Sequence, residues 1–399
     1  MNSRRTFFKQ ISSAALTAAV VPSFISRALA AAQSDTIHIP GEDDLIVRSF
    51  RFVDLETPVG YFNTWLTPVP HFFVRNHMHE PSEISDAQAG SQANDWHLAI
   101  GGEVEKPFTL TLAELRKLES HSVVNTLECA GNGRSLHRPQ VPGIQWGKGA
   151  VGTARFSGPR LRDVLNRAGL KSAGKHVMFR GLDEVPGKVP PFVRSIPIEK
   201  ALDSDTLIAT HMNGSPLTKN HGFPARALVP GWIGAASCKW LTEIKVLDAE
   251  FVGNFMTAGY RLPNQPIKPG ETVKPEDTHA VTALTVKSVI AGPLDGATLK
   301  GSKGSRVVVH GAAWAGEANV VKVEISTDNG STWNAATLGH DQAHYAWRLW
   351  TYDWKPKAGD YTILSRATDS QGRTQPGTAV WNPSGYLYNA VDQVKIHVG

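Results

Sequence analysis

Residues 126–134 read T-L-E-C-A-G-N-G-R, a cysteine that follows an apolar run and precedes a glycine-rich turn. Such a turn lets backbone approach a large ligand while the sulfur points into a cleft. Three chemistries are open to Cys129. It can be a small buried hydrophobe, a nucleophile with His221 or His211 as base, or a soft thiolate ligand to a metal whose other ligands are not protein. Spacing alone does not choose. The only other cysteine is Cys238, and an oxidising compartment would permit one bridge between the two. There is no C-x-x-C-H haem attachment, no C-x-x-C zinc pair and no iron–sulfur set, so any cofactor must be held another way. His77 and His79 suggest zinc, but a third ligand at sensible spacing is missing.

The elements that must position these residues are short. Thr111 followed by Glu114 is a capping box that opens a helix running to about Leu118. Leu161, Val164, Leu165 and Ala168 sit at helical spacing, with Gly169 as the stop. Apolar runs at 122–126, 177–181, 227–229 and 241–246 read as strands, giving a mixed α+β region; residues 33–95 look irregular, with extended pieces such as 45–52 and a Pro-broken stretch around 57–81. Pro263, Pro266, Pro269 and Pro275 make residues 262–276 a linker. Beyond it the chain reads as all-β, with alternating segments at 285–290, 306–313, 320–326, 345–353, 361–368 and 394–398. Asn329-Gly330 is a hairpin signal among them. Roughly seven short strands in about 120 residues predict an immunoglobulin-like sandwich, an architecture that by itself carries no function.

The formal charge of +5 invites a nucleic-acid reading. Four of the 41 basic residues, Arg4, Arg5, Lys9 and Arg27, lie in residues 1–32, which contain no acid. That leaves 37 basic against 36 acidic residues, and so balanced a body has no general electrostatic claim on nucleic acid or a membrane surface. The same 32 residues begin S-R-R-T-F-F-K at Ser3, continue through a mildly apolar stretch at 11–21 and end in Ala28-Leu29-Ala30. This is the order of a twin-arginine signal peptide removed on export, and the route carries folded, cofactor-loaded proteins. The expectation is a periplasmic protein with no membrane span in its mature form. The predicted organisation is a signal at 1–32, a catalytic domain at 33–270 and a sandwich at 271–399.

Six strings go further than residue types. F-F-V-R-N-H (72–77), E-C-A-G-N-G-R (128–134), G-A-V-G-T-A-R-F-S-G (149–158), M-N-G-S-P-L (212–217), H-G-F-P-A-R (221–226) and P-G-W-I-G-A-A-S-C-K-W-L (230–241) recur here in order. In these strings the chain resembles the molybdenum domain of the sulfite oxidase family. The region after it, with A-A-W-A-G from Ala312 and S-T-D-N-G-S-T-W from Ser326, resembles that family's dimerisation domain. The resemblance implies an α+β molybdopterin-binding domain followed by the sandwich, with molybdenum and molybdopterin as cofactor. Cys129 would be the metal's thiolate ligand. Phe73, Val74, Arg75, Asn76 and His77 would run along the cofactor, with Arg75 beside the metal and substrate. Asp183, His221, Arg226, Ser237, Cys238 and Lys239 would hold the pterin and its phosphate. Cys238 itself reads as a small packing residue within that segment. Arg75, Arg134, Trp146 and Tyr260 would form the substrate pocket, where an oxyanion needs cationic and hydroxyl donors.

One departure bears on the substrate. Sulfite-oxidising members bring an arginine to the pocket in a W-N-x-R-G type string; here residues 381–385 read W-N-P-S-G, with Ser384 at that position. Arg348, in A-W-R-L-W, is the candidate to compensate. The resemblance implies oxidation of sulfite to sulfate. The chain has no haem motif, so electrons would pass to an external acceptor such as a c-type cytochrome. The protein would be a homodimer or a complex with a cytochrome subunit. Rival readings are the catalytic subunit of a multi-protein sulfur-oxidation complex, a molybdenum reductase of a sulfoxide or another oxyanion, and a non-catalytic binding protein that would purify without molybdenum.

Overall fold

The computed structural model describes residues 44–84, 93, 95–300 and 306–399; the signal read at 1–32 lies outside them. Two nine-residue strands, Ser120–Glu128 and Val151–Pro159, pair antiparallel in unbroken register from Ser120 opposite Pro159 to Glu128 opposite Val151. The first strand starts exposed and buries its last four residues, so it delivers Cys129 into the interior. His211–Met212 and Ser215–Pro216 extend this sheet beyond Val151–Pro159. A five-stranded sheet runs Phe108–Thr111, His97–Gly102, Leu241–Leu247, His176–Gly181, Val193–Pro197. His97–Gly102 and Leu241–Leu247 are parallel in it; the other neighbours are antiparallel.

Both expected helices form. Leu112–Lys117 carries the capping box: the Thr111 hydroxyl accepts from the Glu114 N–H at 3.2 Å, and the Glu114 carboxylate accepts from the Thr111 N–H at 2.8 Å. Leu161–Ala168 buries Leu161, Val164, Leu165 and Ala168 and ends at Gly169, whose φ of 73° suits a residue without Cβ. Each large apolar side chain buried there contributes about 1.5–3 kcal/mol against exposure, enough to hold two turns of helix that would not persist alone.

The extended piece at 45–52 holds the strand Ile46–Ser49, and with Asp54–Glu56 and Val74–Arg75 it forms a three-stranded sheet in a region otherwise expected to be irregular. Its strands are two to four residues long, too short to display alternation. The Pro-rich stretch read as a linker is tied at its ends: Arg261–Pro263 pairs antiparallel with Thr278–Ala280, and Arg261 donates to the Thr278 carbonyl at 2.7 Å.

From Lys287 onward the described residues are all-β. Lys287–Gly292, Val307–Trp314, Arg348–Trp354 and Thr337–Leu338 form one sheet; Thr298–Leu299, Asp392–Val398, Gly359–Asp369, Val320–Ser326 and Asn334–Ala335 form another. They share a core that includes Ile290, Val309 and Trp350 from the first and Val323, Ile363, Val394 and Ile396 from the second. Asp392–Val398 alternates buried and exposed without a break, the pattern of a strand with one face on a core. Asn329 and Gly330 both take positive φ, 56° and 89°, as their signature requires. The strand they lead to, Asn334–Ala335, has only two residues.

Candidate cofactor and anion site

Cys129 lies where Ser120–Glu128 ends. Its N–H donates to the Ala150 carbonyl at 2.9 Å, and its own carbonyl accepts from the Asn132 N–H at 2.9 Å. The turn that follows brings Arg134 back against Gly131. A Cβ on Gly131 would sit 2.5 Å from the Arg134 guanidinium, so the glycine leaves room for that side chain in its present position. Glu128, the residue before the cysteine, is buried and fully engaged. It accepts from Lys287 at 2.5 Å, from Asn132 at 2.9 Å and from the Trp314 indole at 2.7 Å. Lys287 and Trp314 come from the all-β region, which therefore anchors the cysteine turn.

Cys129 borders a cavity with about 660 Å³ of empty space, part of it open to solvent. Phe73, Arg75, His77, Asp183, His221, Arg226, Ser237, Cys238, Lys239 and Tyr260 line it as well, so eleven residues singled out in the sequence converge on one space. Val74, Asn76, Arg134 and Trp146 do not line it. Val74 is buried opposite Leu55. Asn76 stands behind the wall, where its carbonyl oxygen accepts from Lys239 and its amide donates to Glu80 at 2.8 Å. Trp146 is fully buried, with an indole N–H that has no acceptor. Arg134 is spent on the Ser384 and Ile144 carbonyls, each at 2.8 Å. Its charge still reaches Cys129, where burial pushes the thiol up while Arg75 and Arg134 pull it down.

Other expectations are corrected by the geometry. Arg348 does not compensate at the pocket: it donates to Gln342 at 3.0 Å and to the Gly339 carbonyl at 2.8 Å, within its own sheet and the adjoining loop. Cys129 and Cys238 are both buried free thiols, so no bridge joins them. Burial drives the Cys238 thiol up to about 12, fitting the packing role. No group of three metal-ligating side chains occurs among the described residues, and His211 instead meets Thr210 at 2.9 Å. Burial lowers the His221 pKa to about 3, with Lys239 and Arg226 adding to the effect, so without a bound anion its imidazole is neutral.

The structure also adds residues that the sequence did not mark. Asp54 is buried, pairs with Arg75 at 3.1 Å and accepts the Asn76 N–H at 3.2 Å. Tyr386 stacks on Tyr260 with centroids 5.3 Å apart and planes at 6°. Tyr260 itself is held at φ 58°, an uncommon conformation for an aromatic residue, and its hydroxyl meets the His77 imidazole. Burial raises its phenol pKa and keeps His77 neutral, so the hydroxyl is a protonated donor at neutral pH.

The cavity has a thiol end and a basic end. Charges acting on Cys129 are Arg75, Arg134 and Asp54; Lys239 instead feels Glu80, Arg226, Asp183 and Asp54. At the basic end Arg226 gives two N–H groups to the His221 and Ser237 carbonyls, at 3.0 and 2.9 Å, while its Nε is buried with no acceptor. Burial lowers its pKa to about 10. A buried guanidinium without a carboxylate is costly unless an anion completes it. The donor set therefore fits a ligand that combines an anionic group with a soft metal centre.

Residues 84–255 match the family described as "Oxidoreductase molybdopterin binding domain", and residues 278–399 match "Mo-co oxidoreductase dimerisation domain". Over 369 residues the chain is 36% identical to the sulfite oxidase of Gallus gallus, covering 88% of this chain and 77% of that one. The chain belongs to the sulfite oxidase family. Its cofactor is accordingly molybdenum held by molybdopterin. The mitochondrial sulfite oxidase of Drosophila melanogaster is also 36% identical over 369 residues, covering 88% of this chain; the match spans 62% of that longer relative. Among solved structures, the sulfane dehydrogenase SoxCD from Paracoccus pantotrophus superposes with a TM-score of 0.76 at 26% identity, over 91% of each chain.

Proposed function

We propose that this chain oxidises sulfite to sulfate and passes the electrons to an external acceptor such as a c-type cytochrome. What carries the reading is a family cofactor cavity with a buried thiol near Arg134 and a buried Arg226, two guanidiniums whose partners are carbonyls and not carboxylates. Bound molybdenum would supply the two-electron chemistry and the oxygen transfer. The chain's own residues do the rest. Cys129 would hold the metal as thiolate; Arg226, Lys239 and His221 would hold the phosphate. Arg134, whose partners are carbonyls, adds positive potential near the thiol that favours an oxyanion, while the charge of Arg75 is offset in part by Asp54. Tyr260 offers a protonated hydroxyl, and Phe72, Phe73 and Phe192 keep water out. The all-β region is read as an immunoglobulin-like dimerisation module, making the protein a homodimer or a complex with a cytochrome subunit.

A second reading has one observation in its favour. SoxCD, named a sulfane dehydrogenase, matches the fold over nearly its full length, and Ser384 offers only its backbone carbonyl to the site. A sulfane sulfur oxidised within a multi-protein complex would need less positive charge than a free dianion. Elemental analysis with a sulfite–ferricyanide assay on the purified protein separates the readings. We expect about one molybdenum per chain and sulfite-dependent ferricyanide reduction. Molybdenum without sulfite oxidation would transfer the proposal to the sulfane reading, and protein that never carries molybdenum would remove both.

The same proposal places the enzyme in the periplasm. The support is the Arg4-Arg5 pair with its apolar run and small-residue site. Changing both arginines to lysine is expected to leave cofactor-loaded precursor in the cytoplasm, measured by molybdenum in each cell fraction. Undiminished periplasmic yield would contradict the export reading.

A further inference from the structure

The cations around the cavity do not all have the same partners. Arg75 is paired with Asp54, and Lys239 feels three carboxylates. Arg134 has carbonyls only. Arg226 has carbonyls only as well, and a further guanidinium, to which neither residue type nor spacing draws attention, is in the same condition. Arg194 lies in the strand Val193–Pro197, at the edge of the five-stranded sheet, and is 2% exposed. One of its terminal N–H groups donates to the Phe255 carbonyl, and its Nε is buried with no acceptor. The acid whose charge reaches it, Glu250, is exposed.

Arg194 also has a defined place. Its guanidinium carbon lies 5.0 Å from the centre of the Tyr260 ring. Tyr260 stacks on Tyr386, and the Arg134 guanidinium lies 5.5 Å from the Tyr386 ring centre. Two buried cations thus bracket a pair of stacked tyrosines, one of which lines the cavity. Stacking on an aromatic ring suits a planar guanidinium. An isolated buried charge is tolerated where a counter-charge arrives, and the cavity is where one can.

Resting on the sulfite reading above, we infer that Arg194 is a further cation of the anion pocket and the positioning residue of Tyr260. It orients the phenol toward the cavity and adds positive potential from the side opposite Arg134. Residue 384 supplies no charge there, so Arg194 carries part of the selectivity for a dianion.

Sulfate is the probe, since it carries the product's charge and does not turn over. Its affinity for the cofactor-loaded enzyme is measured by calorimetry, alongside sulfite kinetics with ferricyanide. Arg194→Gln is expected to raise the sulfate Kd and the sulfite KM about tenfold, with kcat within a few fold. Arg194→Lys should hold the sulfate Kd within about threefold. Arg194→Gln combined with Ser384→Arg should recover most of the lost affinity, because charge returns from another direction. An unchanged sulfate Kd in Arg194→Gln overturns the inference. So does a loss that neither Arg194→Lys nor the added Ser384→Arg relieves, because that is the behaviour of a packing residue. If Arg194→Gln fails to fold, Arg194→Lys decides, and a tenfold loss of sulfate affinity in it counts against the inference. A wild-type enzyme that binds sulfate through Arg194 but does not oxidise sulfite overturns the substrate reading alone.

Discussion

Cys129→Ser is expected to abolish sulfite turnover, by at least about a thousandfold or ~4 kcal/mol in the barrier, while the protein stays folded. The thiol is 8% exposed and faces the cavity. Burial pushes its pKa up against the pull of Arg75 and Arg134, so in the protein alone it is a thiol, and metal binding is what removes the proton. A serine hydroxyl is a harder donor and far weaker acid, and cannot replace a soft thiolate. The pterin's other holders, Arg226, Lys239 and His221, are untouched. The measurement is activity together with molybdenum and pterin content and thermal midpoint. Pterin retained with activity lost is the expected pair; full activity in Cys129→Ser would falsify the ligand assignment.

The second large effect is on stability. Lys287→Met should destabilise the protein by about 3–5 kcal/mol, because it strands the buried Glu128 carboxylate without its cation. Both side chains of the pair are less than a tenth exposed and lie 2.5 Å apart. Trp314 and Asn132 still donate to Glu128 after the change, which keeps the loss finite. Urea unfolding of the wild type, Lys287→Met and the Glu128→Met/Lys287→Met double variant measures it. The double variant should regain much of the loss, since two apolar groups replace two charges. A single variant within 1 kcal/mol of wild type would mean that the carboxylate is not held as described. The effect should extend to function, because Glu128 precedes the cysteine.

Much of this site was legible in one dimension. Cys129, Arg75, His77, His221, Arg226 and Lys239 sit in contiguous strings where glycine, cysteine and basic residues crowd together, and strings survive being read one residue at a time. Asp54, Arg194 and Tyr386 do not. Each is an ordinary residue in an ordinary stretch, and its role exists only because a strand or loop from elsewhere brings it within a few ångströms. Asp54 lies in a three-residue strand, too short for a period. Arg194 looks like a solvated cation until the sheet buries it. The same limit explains the fold. The Leu161–Ala168 helix and the longer strands of the all-β region carry clear periods, whereas Thr298–Leu299 and Thr337–Leu338 are two residues each. Arg348 was misjudged for the converse reason: its neighbours Trp347 and Trp350 are deeply buried, but its own side chain turns to Gln342 and Gly339.

The anchoring of the cysteine turn by distant chain sets a clock on biosynthesis. Glu128 needs Lys287, 159 residues downstream; the Ala130 carbonyl needs the Leu387 N–H, at 2.8 Å; Tyr260 needs Tyr386. A ribosome adding about 5–20 residues per second delivers these partners on the order of ten seconds or more after Cys129 emerges. Throughout that interval the nascent cysteine turn lacks the contacts that close it. The pocket can be closed only once the chain as far as Leu387 has emerged, so cofactor insertion follows synthesis of that segment. An export route that threaded the chain unfolded would separate these partners again, whereas one that moves a folded body preserves a site fastened by residues far downstream of the cysteine.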